Sequence, residues 1–325
     1  MVIDKNFYMN LAICEAWKYQ GLTFPNPAVG ALILDQYGKI VALQAHKYAG
    51  SAHAELSAIA YAYEKLTGSK ILHNNPNDIY NFLLKNHNSL FKNFTIFITL
   101  QPCTNYGKTP PCDNLISKLG FKNIYIGTND PNVKLKNNKF ILKQKCDELI
   151  EPFLRWQRGE NFILFKMAKT QNGVYDGGVI SSLSSRKFVH DIRSKCDLLV
   201  IGGESVRVDR PTLDCRLIGA QKAPDILIYS KRDDFDKSIP LFQVPNRKVF
   251  IKSDFEILKN YKYILIEGGE KMFELTKDLV HWYLFFTSPN LKKGKTLQLN
   301  CNLKRLYHVE NEYDTIEWFK PIMLK

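Results

Sequence analysis

No long apolar run occurs in the first part of this 325-residue chain. The longest stretch near the start, Ala28 to Leu34, is far too short to cross a bilayer. Met1 to Asn10 carries acidic and polar residues and lacks the apolar segment of a secretory signal. There is no even set of cysteines either. Seven are present (Cys14, Cys103, Cys112, Cys146, Cys196, Cys215 and Cys301), an odd count in a large chain. That excludes a disulfide framework as the organising principle and favours a reducing compartment. The expectation is a soluble, cytoplasmic protein with no membrane partner. No block of like charge and no internal repeat stands out, which removes charged-tail and solenoid readings.

Apolar residues make up 45% of the chain and charged residues 24%, as in a globular protein. The length exceeds one small core and suits two domains. The formal net charge is +13. Such a balance fits nucleic acid, an anionic membrane or a phosphorylated small molecule, and equally fits a compositional habit of scattered lysines.

Periodicity predicts a helix over Lys5–Tyr19 ended by Gly21 and the Pro25-Asn26-Pro27 turn. Strands are expected at Ala31–Leu34, Lys39–Leu43, Thr95–Leu100 and Asn123–Gly127, with helices from His53 to about Lys65 and over Asp113–Lys118. The Asn-rich segment Thr67–Asn93 reads as a surface insertion outside the core. A boundary falls in Glu148–Asn161, giving domains of 1–150 and 151–325. Beyond it, strands at Phe162–Ala168, Leu198–Ile201, Ile226–Tyr229, Lys248–Ile251 and Tyr263–Ile266 alternate with helices such as Ser185–Lys195 and Lys271–Leu279. That alternation argues for an α/β sheet in both halves.

The strongest local signal is His53-Ala54-Glu55, followed by Pro102-Cys103 and Pro111-Cys112. One imidazole and two thiolates suit zinc and leave a fourth position for water, which ionises near neutral pH when metal-bound. Glu55, two residues after His53, can reach the same cavity without binding metal and serve as the proton-carrying acid/base. This is the pattern of the nucleobase deaminases, H-x-E and then a Pro-Cys pair. The competing reading, a closed structural zinc site, calls for four Cys or His ligands, and only three converge here. The nine-position step from Cys103 to Cys112 is longer than the usual three and carries Lys108, either a point charge for a phosphate or a solvated loop lysine.

These segments resemble the bifunctional deaminase/reductases of riboflavin biosynthesis. The similarity rests on Pro25-Asn26-Pro27-Ala28-Val29-Gly30, on His46 through Glu55, and on Thr99-Leu100-Gln101-Pro102-Cys103. It continues in Gly107-Lys108-Thr109-Pro110-Pro111-Cys112 and Asp130-Pro131-Asn132. It implies a cytidine-deaminase-like N-terminal domain that removes the 2-amino group of 2,5-diamino-6-(5-phosphoribosylamino)pyrimidin-4-one. Asn26, His46 and Lys108 would contact that substrate, with Asp130 and Asn132 near its ribose phosphate. Phe24 and Gln101 depart from the family's usual His and Glu.

The second half holds two strand-glycine-helix junctions, at Gly202-Gly203 and Gly268-Gly269, which are either plain turns or phosphate cradles. The resemblance implies a dihydrofolate-reductase-like C-terminal domain that uses NADPH to reduce the ribosyl group to ribityl. Ser181, Ser205, Asp209, Ser230, Gly269, Glu270, Lys271 and Met272 match cofactor positions. Lys166, Arg193, Leu213, Arg216 and Glu267 match substrate positions, the two arginines as forked phosphate partners or as ordinary surface cations. The departures are Lys169, Asn172, Arg210 and a missing tryptophan after Gly178. The expected protein is therefore a two-step, homo-oligomeric zinc and NADPH enzyme. The rivals are a deaminase with a non-catalytic second domain, a tRNA-editing deaminase and a zinc-stabilised scaffold without catalysis.

Overall fold

A computed structural model describes residues 4–72, 75–107, 109–134 and 139–322. The chain divides into two compact units, Met1–Leu154 and Arg155–Lys325. Ile150 is buried in the first unit's core, and Leu154 packs against it.

The first unit begins with helix α1 (Lys5–Trp17), started by Asp4, whose carboxylate accepts from the Phe7 N–H at 3.0 Å. Strands β1 (Gly30–Leu34) and β2 (Ile40–Ala45) follow as an antiparallel pair. Next come α2 (Ala54–Thr67), α3 (Pro76–Asn86), β3 (Thr95–Leu100), α4 (Cys112–Leu119) and β4 (Asn123–Thr128). Two short helices close the unit region, α5 (Lys143–Leu149) and α6 (Glu151–Gln157). The sheet order is β2-β1-β3-β4, with β3 and β4 parallel. Every residue of β1 and β3 is buried, because α1 covers one sheet face and α2 the other. Gly30 is where α1 crosses the sheet; a Cβ there would run into the Ala12 carbonyl.

The segment Thr67–Asn93 is not a surface appendage, contrary to expectation. Within it α3 packs on α2 and α4, and Tyr80, Leu83 and Phe91 are buried in the unit's main core. Phe91 stacks on Phe121 with centroids 5.2 Å apart. Its abundant asparagines mask an apolar face: Ile79, Tyr80, Leu83 and Leu84 recur at helical spacing and pack inward.

The second unit is built on β5 (Phe162–Thr170), α7 (Leu183–Lys195), β6 (Leu198–Gly202), α8 (Gly203–Asp209) and β7 (Asp225–Tyr229). It continues through β8 (Val249–Lys252), β9 (Tyr263–Glu267), α9 (Glu270–Thr276), β10 (Trp282–Ser288), β11 (Leu303–Asn311) and β12 (Asp314–Pro321). The eight strands lie in the order β11-β12-β10-β5-β9-β6-β7-β8. Strands β10, β5, β9, β6, β7 and β8 run parallel, and the β11–β12 hairpin adds an antiparallel edge beyond β10. Strand β9 inserts between β5 and β6, so the carboxyl ends of β5, β6, β7 and β9 open together on one edge, where α/β sheets bind ligands.

Leu83→Ala should lower unfolding stability by about 2–5 kcal/mol, as for a buried leucine left as a cavity. The exposed Lys85→Ala on the same helix should stay within about 0.5 kcal/mol. Denaturant unfolding of the two variants checks this; equal, small effects would restore α3 to the surface.

Candidate metal centre and reductase cleft

Two helix starts converge on one point in the first unit. His53 is the N-cap residue of α2, in extended backbone, and Glu55 lies in that helix's first turn. Cys112 is the first residue of α4, capped by Pro111. Cys103 sits just beyond β3, where its carbonyl accepts from Asp113 N–H at 3.1 Å and its sulfur from Cys112 N–H at 3.4 Å. Helix starts carry partial positive charge, which favours thiolates.

His53 Nδ1 lies 3.7 Å from Cys103 Sγ and 3.6 Å from Cys112 Sγ. All three donor atoms fall within 4.8 Å of one another. A tetrahedral zinc ion with ordinary Zn–S and Zn–N bonds spaces such donors roughly 3.6 Å apart, so the donor set fits zinc. Among the described residues no fourth His, Cys or carboxylate joins the cluster, as an open catalytic site requires. The other ring nitrogen, Nε2, is 3.1 Å from the Thr109 hydroxyl, which leaves Nδ1 free to bind metal when Nε2 carries the proton. Thr109 was not singled out by sequence reasoning, although it stands in the Gly107–Cys112 motif.

Burial dominates the acid–base chemistry around these groups. It pushes the Glu55 carboxyl up to about 7 against the pull of His53, into the range of a general acid/base. Cys103 is held down to about 4, first by its hydrogen bond with Cys112 and also by His53, while Cys112 is pushed well up. His46 is buried and neutral, its pKa lowered to about 4 by burial. Its Nδ1–H donates to the Ala52 carbonyl at 3.1 Å, so Nε2 accepts from Asn26 Nδ2 at 3.0 Å. The His46 and His53 rings meet edge-on with centroids 5.5 Å apart. Thus Asn26 and His46 stand beside the centre. Asp130 accepts from the backbone and side chain of Asn132 at 2.9 and 3.1 Å. Lys108 lies outside the described residues. Gln101 donates to the Lys134 carbonyl at 3.2 Å, while its Oε1 is buried without a partner.

The second unit holds a cleft of about 1120 Å³ at the open strand ends. All of Lys166, Ser181, Arg193, Ser205, Asp209, Leu213, Arg216, Ser230, Glu267, Gly269, Glu270, Lys271 and Met272 line it. At its floor Arg193 donates to both Glu267 oxygens, at 2.7 and 2.9 Å, and to the Asp214 carbonyl at 3.4 Å. Lys166 Nζ is 3.7 Å from Glu267. The guanidinium fork of Arg193, expected to face a phosphate, is therefore already held by a carboxylate. Arg216 pairs with Asp214 at 2.8 Å on the exposed rim. Burial alone would raise the Glu267 carboxyl, but the charges of Arg193 and Lys166 override it and hold it at about 2.

Two of the departures in this half, Arg210 and Asn172, are accommodated. Arg210 takes a left-handed backbone (φ 43°) and turns to Asp236 at 2.7 Å, away from the cleft lining. Asn172 closes its turn by accepting from the Thr170 hydroxyl at 2.8 Å and from Lys292 N–H at 3.1 Å.

Comparison with known proteins agrees with both halves. The model of the cytidine and deoxycytidylate deaminase zinc-binding region matches residues 3–128. Riboflavin biosynthesis protein RibD of Bacillus amyloliquefaciens is 32% identical over 300 residues, 85% of this chain and 73% of that protein. The RibD of Aquifex aeolicus is 33% identical over 258 residues, 74% of this chain and 64% of its own length. A solved Thermotoga maritima structure, a diaminohydroxyphosphoribosylaminopyrimidine deaminase/5-amino-6-(5-phosphoribosylamino)uracil reductase, superposes with a TM-score of 0.64 at 26% identity. That match covers 98% of each chain. Fold and centre together define a zinc-binding deaminase fused to a reductase-like α/β unit. The chain belongs to the RibD family of riboflavin biosynthesis proteins, which are bifunctional deaminase/reductases.

The buried Glu267 carboxylate predicts a pH dependence. Its folded pKa is depressed, so its stabilisation is complete above the ordinary glutamate range and disappears as pH falls through about 2. Glu267→Gln should lose about 3–5 kcal/mol at pH 7, because two buried cations lose their partner. It should also flatten the decline in Tm between about pH 5 and 2, read from thermal melts. Parallel declines in the two proteins would contradict the ion pair.

Proposed function

We propose that this chain catalyses two successive steps of riboflavin biosynthesis. Residues 1–150 hydrolyse the 2-amino group from 2,5-diamino-6-(5-phosphoribosylamino)pyrimidin-4-one, releasing ammonia. Residues 151–325 then reduce the ribosyl group of the product to ribityl with NADPH. The observation that carries the reading is the three-donor cluster of His53, Cys103 and Cys112 with a buried carboxyl beside it.

In the deaminase, His53, Cys103 and Cys112 hold zinc. The metal supplies an acidified water as nucleophile. Glu55 accepts a proton from the attacking water on its carboxylate and delivers it to the ring nitrogen next to the reacting carbon; it then takes the second proton from the hydroxyl added at that carbon and gives it to the departing amine as the carbonyl forms. Its burial suits both directions of transfer near neutral pH. Thr109 fixes the His53 tautomer. The neutral His46, held by Ala52 and Asn26, forms a wall of the site, where Asn26 contacts substrate; the family resemblance adds Lys108 as a further substrate contact. Asp130 and Asn132 lie toward the ribose phosphate.

In the reductase, Ser181, Ser205, Asp209, Ser230 and Gly269 through Met272 hold NADPH. When bound, the cofactor would supply hydride for the reduction of the sugar. Lys166, Arg193, Leu213, Arg216 and Glu267 hold the substrate, with the Arg193 and Lys166 charges keeping Glu267 an acceptor-only carboxylate. The intact cleft lining favours this over a deaminase with an inert second domain. The small-molecule reading also stands against tRNA editing, so the net charge of +13 is assigned to phosphorylated ligands rather than nucleic acid. No helix of the described residues is long and apolar enough to cross a membrane. None of the seven cysteines is in a disulfide, which supports a reducing, cytoplasmic setting, and a homo-oligomeric state rests on the family resemblance alone.

Purified full-length chain, given the diaminopyrimidine phosphate and NADPH, should release ammonia and then oxidise NADPH, read as the loss of its nicotinamide absorbance. Glu55→Gln should keep its zinc and lose roughly 10²–10⁴-fold in ammonia release. It should still reduce supplied deaminated substrate. Unchanged ammonia release in Glu55→Gln would defeat the assignment, and ammonia without NADPH consumption would favour the inert second domain.

A further inference from the structure

Between α8 and β7 the chain passes the cleft as an irregular segment that supplies Leu213 and Arg216 to the lining. Two of its residues take left-handed backbone without being glycine, Arg210 (φ 43°) and Leu213 (φ 55°). For a leucine this conformation is uncommon, and it persists only where surrounding contacts impose it. Leu213 is buried, so the bend also fixes where one side chain of the cleft wall stands.

The contacts that impose it come from the connection between β7 and β8, outside the cleft lining. Arg247 donates through Nη1 to the Leu213 carbonyl and through Nη2 to the Thr212 carbonyl, both at 2.8 Å. Its Nη2 also donates to the Leu241 carbonyl. Leu241 N–H in turn donates to the Pro211 carbonyl at 3.0 Å. Arg210 ties to the same connection through Asp236 at 2.7 Å and Ser238 at 2.8 Å. From the cleft, Arg193 holds the next carbonyl, that of Asp214, at 3.4 Å. Three successive carbonyls are thus gripped by two guanidinium groups, one in the lining and one outside it.

Stability alone does not account for Arg247. It is partly buried, it makes no ion pair with a carboxylate among the described residues, and its Nε is buried without a partner. A cation sheltered without a countercharge carries a desolvation cost that an apolar side chain of similar length would avoid. What the guanidinium adds is a rigid planar fork, which fixes two neighbouring carbonyls at once.

We propose that Arg247 is a positioning residue of the reductase, holding from outside the cleft the left-handed bend at Leu213 that shapes the substrate-side wall. The inference rests on the reading of the second unit as a reductase with Leu213 and Arg216 toward the substrate. Arg247 is absent from the cleft lining, so its effect passes through the segment it grips.

The test uses full-length Arg247→Met, Arg247→Lys and Leu213→Gly, with calorimetric titration of NADPH to report on the second unit. Arg247→Met should raise KM for the deaminated substrate by about tenfold, with NADPH affinity unchanged. Arg247→Lys keeps a donor near the carbonyls and should recover part of the loss. Glycine takes left-handed backbone without strain, so in Leu213→Gly the added Arg247→Met change should raise KM little further. An unaltered KM for substrate in Arg247→Met overturns the proposal. So does a parallel loss of NADPH affinity, which marks a purely structural role. Equal effects of Arg247→Met with and without Leu213→Gly would also overturn it, by severing the link to the bend. If Leu213→Gly alone abolishes NADPH binding, the contrast between substrate KM and NADPH affinity in the two Arg247 variants decides. Absence of NADPH oxidation by the unsubstituted chain would defeat the reductase reading instead, and calorimetric titration with the deaminated substrate would then decide on Arg247.

Discussion

Everything in the first unit depends on bringing one imidazole nitrogen and two sulfurs to a shared point from segments far apart in the chain. The fold achieves this by ending the buried strand β3 beside the first turns of α2 and α4. Such convergence is costly without a cation, since thiols and a carboxyl are pulled from water together. The opposed shifts of Cys103 and Cys112, and the raised carboxyl of Glu55, are the signature of that crowding. A divalent cation converts the same crowding into a binding site.

The second unit meets a related problem with ion pairs between its own side chains. Its floor buries a carboxylate between two cations, Arg193 and Lys166, at the point where parallel strands open. Breaking one member leaves the others unpaired in a poorly solvated place, so the trio holds its geometry before any ligand arrives. Preorganisation of that kind is what a site for a sugar bearing hydroxyls and a phosphate requires. The two units thus share a logic: charged groups are fixed first by each other and then read by the ligand.

Much of the metal centre was legible because its chemistry admits few residue types. His53, Glu55, Cys103 and Cys112 stand in short local motifs with telling prolines. Strand cores such as Thr95–Leu100 and Tyr263–Ile266 were legible as unbroken apolar runs. What escaped depended on long-range partners. Thr109 is meaningful only once it meets His53, 56 positions away. The Arg193–Glu267 pair spans 74 positions, so a guanidinium bound by carboxylate looked like one awaiting phosphate. The burial of Leu83 and Phe91 was hidden by surrounding asparagine and lysine. The β11–β12 hairpin also went unseen. Its two-residue turn, Glu312-Tyr313, uses a positive-φ glutamate (57°) in place of the glycine or asparagine that signals such turns.

X-ray absorption at the zinc edge of the purified chain tests the central claim most directly. The account predicts one zinc per chain with two sulfurs at about 2.3 Å and two nitrogen or oxygen neighbours at about 2.0 Å. Three or four sulfur neighbours, a site lacking sulfur, or a chain that binds no zinc would contradict it.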